Sequence, residues 1–158
     1  MNRFWVPPLT AAIVALSVAA ERPKQIKPEP AGASQQELKK LSGTFEIILY
    51  ERDGQRATPE QLKVMKAVQK GAKWSFHVGG AVTEGIDRIH PGKKPKAVDA
   101  TYTNSVLKGK KLLGIYEIDR DTIRYCYADA GKDRPKEFST KPGSGLTLFI
   151  FKRVKSSK

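Results

Sequence analysis

Eight short segments of this chain alternate apolar and polar residues with the two-residue period of β-strands, and turns or short loops join them. Turn-forming pairs stand between several of them, as at Asp53-Gly54 and Pro91-Gly92. No helical pattern of about 10–15 residues separates the segments, which argues against a parallel sheet. The segments occupy residues 44–52, 62–70, 73–78, 81–90, 96–103, 111–118, 122–128 and 146–154.

The alternation within these segments predicts how the strands assemble. Trp74 and Phe76 share one face of their strand, and Tyr125 and Tyr127 share a face opposite Cys126. A meander leaves two unpaired edges unless it closes on itself. Eight antiparallel strands are enough to close around side chains or one small ligand. The predicted fold is therefore all-β, an eight-stranded antiparallel up-and-down barrel, and an open two-layer sandwich is the alternative.

One or two short helices are expected beside the strands. The run QQELKKL forms one or two helical turns before Gly43. Thr58 is the predicted N-cap of a second helix, with Pro59 at its first helical position.

The sequence divides into three parts. Residues 1–20 combine a short basic start, an apolar run and small residues, the pattern of a secretory signal peptide, with an uncleaved membrane anchor as the alternative. Residues 21–34 contain three prolines and are predicted to be a disordered linker. The barrel domain would occupy residues 35–158. Export would place the protein in the periplasm or outside the cell, where its single cysteine allows no intrachain disulfide.

The chain is strongly basic, with a formal net charge of +13. This charge favours anionic partners such as lipid headgroups, acidic envelope polymers or an acidic protein, and export makes nucleic acid the least expected of them. Two lysine groups near the fifth segment are the candidates for an anion-binding patch, with an ordinary solvated surface as the alternative. They are Lys93, Lys94 and Lys96, and Lys108, Lys110 and Lys111.

Several short motifs along the barrel segments resemble a known domain. They are LSGTFEI (41–47), EQLK (60–63), KKPKAVD (93–99), GKKLLGIYEID (109–119), DTIRYCYA (121–128), RPKEF (134–138) and KPGSGLTLFIFKR (141–153). The run from Leu41 to Val154 resembles the lipocalin-like domain of unknown function that recurs in planctomycete bacteria. The resemblance implies a lipocalin-like barrel and no established activity.

The two ends of the domain are similar to those of true lipocalins. Gly43-Thr44-Phe45 resembles their opening motif, with phenylalanine where tryptophan is usual, and Arg153 resembles the arginine that stacks on that aromatic ring. Such a pair contributes about 0.5–2 kcal/mol and would join the first strand to the last. Asp87 departs from the planctomycete pattern, which has a bulky residue there. It either points inward as a polar handle or marks a different local register.

Reactive chemistry has little support in the sequence. Asp119 and Asp121 are interpreted as turn-forming residues, because aspartate bonds nearby backbone amides in turns. Cys126 lacks any motif that lowers a thiol pKa and is predicted to pack in the wall. A metal site from His77, His90, Asp87 and Asp99 would need ligands from three strands without a recognised spacing. We predict no catalytic residue, metal or cofactor.

The leading prediction is an exported, non-enzymatic barrel that binds a small apolar or amphipathic molecule. Aromatic residues are the candidates for its lining: Phe45, Trp74, Phe76, Tyr116, Tyr125, Tyr127 and, in the last strand, Phe149. A filled barrel without a cavity is the structural alternative. A basic interaction module that uses the lysine groups is the functional alternative.

Overall fold

Antiparallel pairing joins most strands to the next along the chain and the last strand to the first. A computed structural model describes residues 31–155, which form two helices and nine strands. The helices are α1 (Ala31–Leu41) and α2 (Pro59–Lys63). The strands are β1 (Gly43–Arg52), β2 (Gln55–Arg56), β3 (Met65–Lys70), β4 (Lys73–Val78), β5 (Ala81–His90), β6 (Ala97–Tyr102), β7 (Lys111–Asp119), β8 (Thr122–Ala128) and β9 (Leu146–Arg153).

β1 closes the sheet into a barrel. Its first residues pair with β3, and the stretch from Phe45 to Arg52 pairs with β9, with an irregularity between Ile47 and Leu49. β2 has two residues and pairs only with the end of β1, so it completes a hairpin rather than adding a barrel strand. Within the described part of the chain, the other eight strands form a closed ring. The predicted antiparallel barrel is confirmed, and the sandwich alternative is wrong.

The connections alternate between the two ends of the barrel. One end carries α1 and the turns 71–72, 91–96 and 120–121, and we call it the closed end. The other end carries residues 53–64 and the connections 79–80, 103–110 and 129–145, and we call it the open end. β6 therefore begins at the closed end and finishes at the open end.

Helix α1 covers the closed end. Leu41 is fully buried and packs in the core cluster that contains Phe45. Glu37 is also buried, and Lys96 and Lys40 pair with its carboxylate. Burial raises the pKa of Glu37, but the two lysines outweigh this effect and hold the pKa below its usual range. The helix therefore fastens to the barrel through both apolar and ionic contacts.

The second helix begins as its sequence predicts. Thr58 accepts a hydrogen bond from the Gln61 amide, the Gln61 side chain accepts one from the Thr58 amide, and Pro59 occupies the first turn. The Asp53-Gly54 turn is likewise present, since both residues adopt positive φ angles of 49° and 76° between β1 and β2. The predicted cap and turn therefore both occur in the connection between β1 and β3 at the open end.

The predicted N-terminal boundary requires a correction. α1 begins at Ala31, inside the segment 21–34 that composition predicts to be a linker, because the prolines end at Pro30 and helix-compatible alanine and serine follow. Residues 1–20, the predicted signal peptide, and residues 21–30 lie outside the described residues. In the part that is described, no helix has the length and apolarity needed to cross a bilayer.

Candidate ligand-binding cavity

The barrel interior contains a cavity of about 420 Å³ towards the open end. Side chains from β1 and β3 to β9 line it, together with Leu107 from the connection between β6 and β7. The closed half of the interior is filled instead by packed residues, among them Leu41, Ile89, Val98 and Ile123. The barrel is thus solid at one end and hollow at the other.

Most of the predicted aromatic residues line this cavity. They are Phe45, Trp74, Phe76, Tyr125 and Tyr127, and the β9 residue Phe149 joins them. The Tyr125 and Tyr127 rings stack 5.6 Å apart with an interplanar angle of 13°, and the Phe76 and Phe149 rings meet edge to face at 5.5 Å. Tyr50, Tyr102 and Phe151 also line the cavity, although they are not among the predicted lining residues.

Tyr116 does not line the cavity, so its assignment as a lining residue is wrong. Its side chain is buried nearer the closed end, and its hydroxyl donates to Glu37 Oε1 at 3.4 Å. The Lys96 ammonium lies 5.9 Å from the centre of the Tyr116 ring. Contact with α1 therefore holds the Tyr116 side chain between the cavity and the closed end.

Trp74 forms part of the cavity wall because Gly85 leaves room for it. A Cβ atom at Gly85 would lie 2.1 Å from Trp74 Cζ2 and 2.6 Å from the Thr101 carbonyl oxygen. The indole covers this glycine and meets the Tyr102 ring edge to face at 5.4 Å. The pair fixes the aromatic wall across β4, β5 and β6.

A small group of polar side chains stands among the aromatic and aliphatic residues of the interior. Tyr125 Oη donates to Gln69 Oε1 at 3.3 Å, and Gln69 Nε2 donates to Asp87 Oδ2 at 3.1 Å. Asp87 Oδ1 has no hydrogen-bond partner among the described residues, and neither has Trp74 Nε1. The four side chains therefore contain one unused acceptor and one unused donor within the barrel.

Burial controls the protonation of Asp87. The side chain is only 5% exposed, and this burial raises its pKa to about 7, although Gln69 and Trp74 stabilise the carboxylate and limit the rise. The Trp74 indole therefore favours the carboxylate although its N–H makes no hydrogen bond with it. Asp87 points inward, so the polar-handle interpretation of its position is correct.

Gln69 was not identified as a site residue from the sequence. The signal was the alternation on β3, where Met65, Ala67 and Gln69 form the inward series. A glutamine in an inward series is unusual because a buried amide needs partners. Its partners come from β5 and β8, which lie elsewhere in the sequence.

The two predicted lysine groups do not form one patch. Lys93, Lys94 and Lys96 lie at the closed end, and Lys108, Lys110 and Lys111 lie at the open end. β6 separates them, and at about 3.3 Å per residue it spans roughly 17 Å. Lys96 is moreover engaged by Glu37. The idea of a single anion-binding patch from all six lysines is therefore wrong.

At the mouth of the cavity an ion pair joins β1 to the end of β8. Arg52 donates to both carboxylate oxygens of Asp129, at 2.9 and 3.0 Å, and to Thr147 Oγ1 at 3.1 Å. Arg52, Asp129 and Thr147 all belong to the cavity lining. The guanidinium is therefore held by protein groups at the mouth.

The barrel is closed by the predicted contact between its first and last strands. The guanidinium of Arg153 lies 4.8 Å from the centre of the Phe45 ring and donates to the backbone carbonyls of Ser42 and Lys40. One arginine thus ties together β9, β1 and the end of α1.

The other candidate reactive groups lie outside the cavity. Cys126 is buried in the outer wall, where its Sγ lies 3.8 Å from the Ser139 carbonyl oxygen and burial raises the pKa of the thiol. His90 pairs with Asp99 at 3.3 Å, while His77 bonds Ser75. Within residues 31–155, no three histidine, cysteine or acidic side chains converge as metal ligands would. These residues occupy separate places in the fold.

The interpretation of Asp119 and Asp121 as turn residues agrees with the structure. β7 ends at Asp119, β8 begins at Thr122, and Arg120 between them has a φ of 50°. Thr122 Oγ1 donates to the Asp119 carbonyl oxygen at 2.8 Å, which stabilises the turn.

Comparisons with protein-family models, with curated proteins and with solved structures found no match for this chain.

Proposed function

We propose that this chain is an exported, non-enzymatic lipocalin-like protein that binds a small apolar or amphipathic molecule inside its barrel. The observation that carries the proposal is the cavity, whose volume of about 420 Å³ falls in the range of small-molecule sites, roughly 300–1,000 Å³. Its wall is rich in aromatic rings, and its charged groups stand in two places, at Asp87 and at the mouth, where Arg52 pairs with Asp129. A filled barrel would leave no such volume.

Kinship with the lipocalin-like domain of planctomycete bacteria is part of the proposal. The motifs in residues 41–154 support it, and so does the contact between Phe45 and Arg153 at the closure of the barrel. Export is proposed from the pattern of residues 1–20.

Binding in the cavity can be measured through Trp74. The chain has two tryptophans, so a Trp5→Phe background leaves Trp74, which lines the cavity, as the sole reporter. We expect the uncharged probe N-phenyl-1-naphthylamine to accept energy from Trp74 and to bind equally well at low and physiological salt, because apolar contacts are not screened. Ala100→Phe, which fills the cavity, should weaken binding by about tenfold or more.

Thr101→Phe is the matched control for this experiment. Thr101 neighbours Ala100 on β6 and falls in the alternate, outward series of that strand, so it should leave probe binding unchanged. Equal affinity in the two variants, each folded by circular dichroism, would show that the probe does not occupy the interior.

A second candidate function is attachment to an anionic lipid surface through the open end. Val106 is 96% exposed in the connection between β6 and β7, beside the exposed lysines Lys108, Lys110 and Lys111. An exposed apolar residue among cations suits the interface of a negatively charged bilayer, where each lysine contributes about 1 kcal/mol. Of the two predicted lysine groups, the one at the open end is therefore the better candidate for a basic interaction surface.

Vesicle sedimentation tests the second candidate. With vesicles of phosphatidylglycerol and phosphatidylcholine at low salt, replacing Lys108, Lys110 and Lys111 by glutamine should weaken binding by about a hundredfold. Lys93→Gln with Lys94→Gln changes charge at the closed end and should have a much smaller effect. If the loss only follows the number of charges removed, the open end has no special role.

A further inference from the structure

We propose that the polar end of the molecule bound in the barrel is a protonated amine, received by Asp87. This inference rests on the proposed binding function and adds the chemical class of the ligand. It starts from the buried side chain of Asp87, which lines the cavity and whose Oδ1 has no hydrogen-bond partner among the described residues. Buried polar atoms in native proteins are nearly always paired, so an unpaired acceptor beside an open volume marks a place for a donor.

The groups around Asp87 define what can bind there. Gln69 Nε2 already donates to Oδ2, and the remaining neighbours are Trp74, Tyr125 and Tyr127. Tyr125 uses its hydroxyl on Gln69. In the described part of the chain, no lysine or arginine forms an ion pair with Asp87. Arg52, which lines the cavity, is held by Asp129, and Arg153 is held by backbone carbonyls.

This arrangement disfavours an acidic ligand. A carboxylate or phosphate beside Asp87 would offer only acceptors and would place two like charges together in an apolar interior. A fatty acid bound with its carboxylate innermost would therefore find no positive charge beside Asp87 to pair with. A donor group fits the free oxygen.

A cation fits better than a neutral donor. A hydroxyl would satisfy Oδ1 but leave the carboxylate charge unbalanced, whereas an ammonium group supplies both the hydrogen bond and the charge. Aromatic rings from Trp74, Tyr125 and Tyr127 surround the same volume, and their faces attract cations. The rest of the cavity is apolar enough to take a hydrocarbon or aromatic body. The site therefore matches an amphipathic amine.

The test compares three probes of equal chain length, decylamine, 1-decanol and decanoate, each below its aggregation concentration. Displacement of N-phenyl-1-naphthylamine from the full chain gives the affinities at about pH 8, where Asp87, whose pKa is raised to about 7, is mostly ionised. We expect decylamine to bind about tenfold or more tightly than 1-decanol, and decanoate to bind most weakly. Asp87→Asn, which preserves side-chain size, should remove the preference for the amine while 1-decanol still binds.

Glu84→Gln is the matched control, because it removes one negative charge from the same strand but at an exposed position. It should retain the amine preference. If 1-decanol binds and decylamine has no advantage, or if the advantage persists in Asp87→Asn, the amine inference is overturned and cavity binding stands. If the dye binds in the cavity and none of the three displaces it, the amine inference is overturned, and if the dye itself does not occupy the interior, the binding function fails and the amine inference with it.

Discussion

Replacing Asp87 by asparagine is expected to stabilise the unliganded protein at about pH 8, by up to roughly 4 kcal/mol. The pKa of Asp87 is raised from 3.8 to about 7 in the folded state by burial, so over that interval the folded state binds more protons than the unfolded state. The free energy of unfolding must then fall as pH rises. Asparagine has no charge to bury and escapes this loss.

The same linkage predicts the pH dependence of the native protein. Between about pH 5 and pH 8 its free energy of unfolding should decrease by about 2–3 kcal/mol because of Asp87. Glu37, Glu51 and Asp99 have lowered pKa values, so their contributions are lost only as pH falls below their ordinary range. The interval above pH 5 therefore isolates Asp87 among these groups.

Urea unfolding at both pH values measures the effect, with Glu84→Gln as the control. The advantage of Asp87→Asn should be clearly larger at about pH 8 than at about pH 5. A constant difference between the two proteins would mean that Asp87 is not a buried carboxyl of raised pKa. Its expected cost to stability is the kind that a binding site often imposes on a fold.

Arg153→Ala is expected to reduce the free energy of unfolding by about 3 kcal/mol. The substitution removes the cation stacked on Phe45 and leaves the carbonyl oxygens of Ser42 and Lys40 without their charged donor. The free energy of unfolding of Arg153→Lys should lie between those of the unsubstituted protein and Arg153→Ala. A lysine ammonium keeps the charge but cannot reach both carbonyls as the branched guanidinium does. The substitution should weaken the contact between β1 and β9, where the barrel closes.

Chemical denaturation of Arg153→Ala and Lys152→Ala provides the comparison. Lys152 is the exposed neighbour on the same strand, so its truncation should cost less than about 0.5 kcal/mol. Equal losses in the two variants would contradict the role of Arg153 in closure.

Local patterns predicted the barrel well because they report local geometry. Alternation placed Tyr125 and Tyr127 on one face and Cys126 on the other, and both placements are confirmed. The cap at Thr58 is confirmed for the same reason. These signals need only the neighbours along the chain.

Contacts between distant segments were the part that sequence did not supply. Tyr116 has the correct inward parity on β7, but α1 reaches it through Glu37, and no pattern within β7 predicts that helix. The partnership of Gln69 with Asp87 also spans separate strands. The prediction of one lysine patch was a different kind of error. Successive connections of a meander alternate between the two ends of the barrel, so two lysine groups in successive connections cannot lie together.

Helix α1 covers one end of the barrel, so the cavity is a tube that opens towards the other end. Anything that occupies the hollow half would enter and leave at the open end, where Arg52 and Leu107 line the cavity. A molecule whose polar end reaches Asp87 must go in with that end leading, and its tail then trails towards solvent. If the barrel binds an amphipathic molecule as we propose, it should discriminate strongly among leading groups and weakly among tail lengths, because a tail that is too long can project from the mouth.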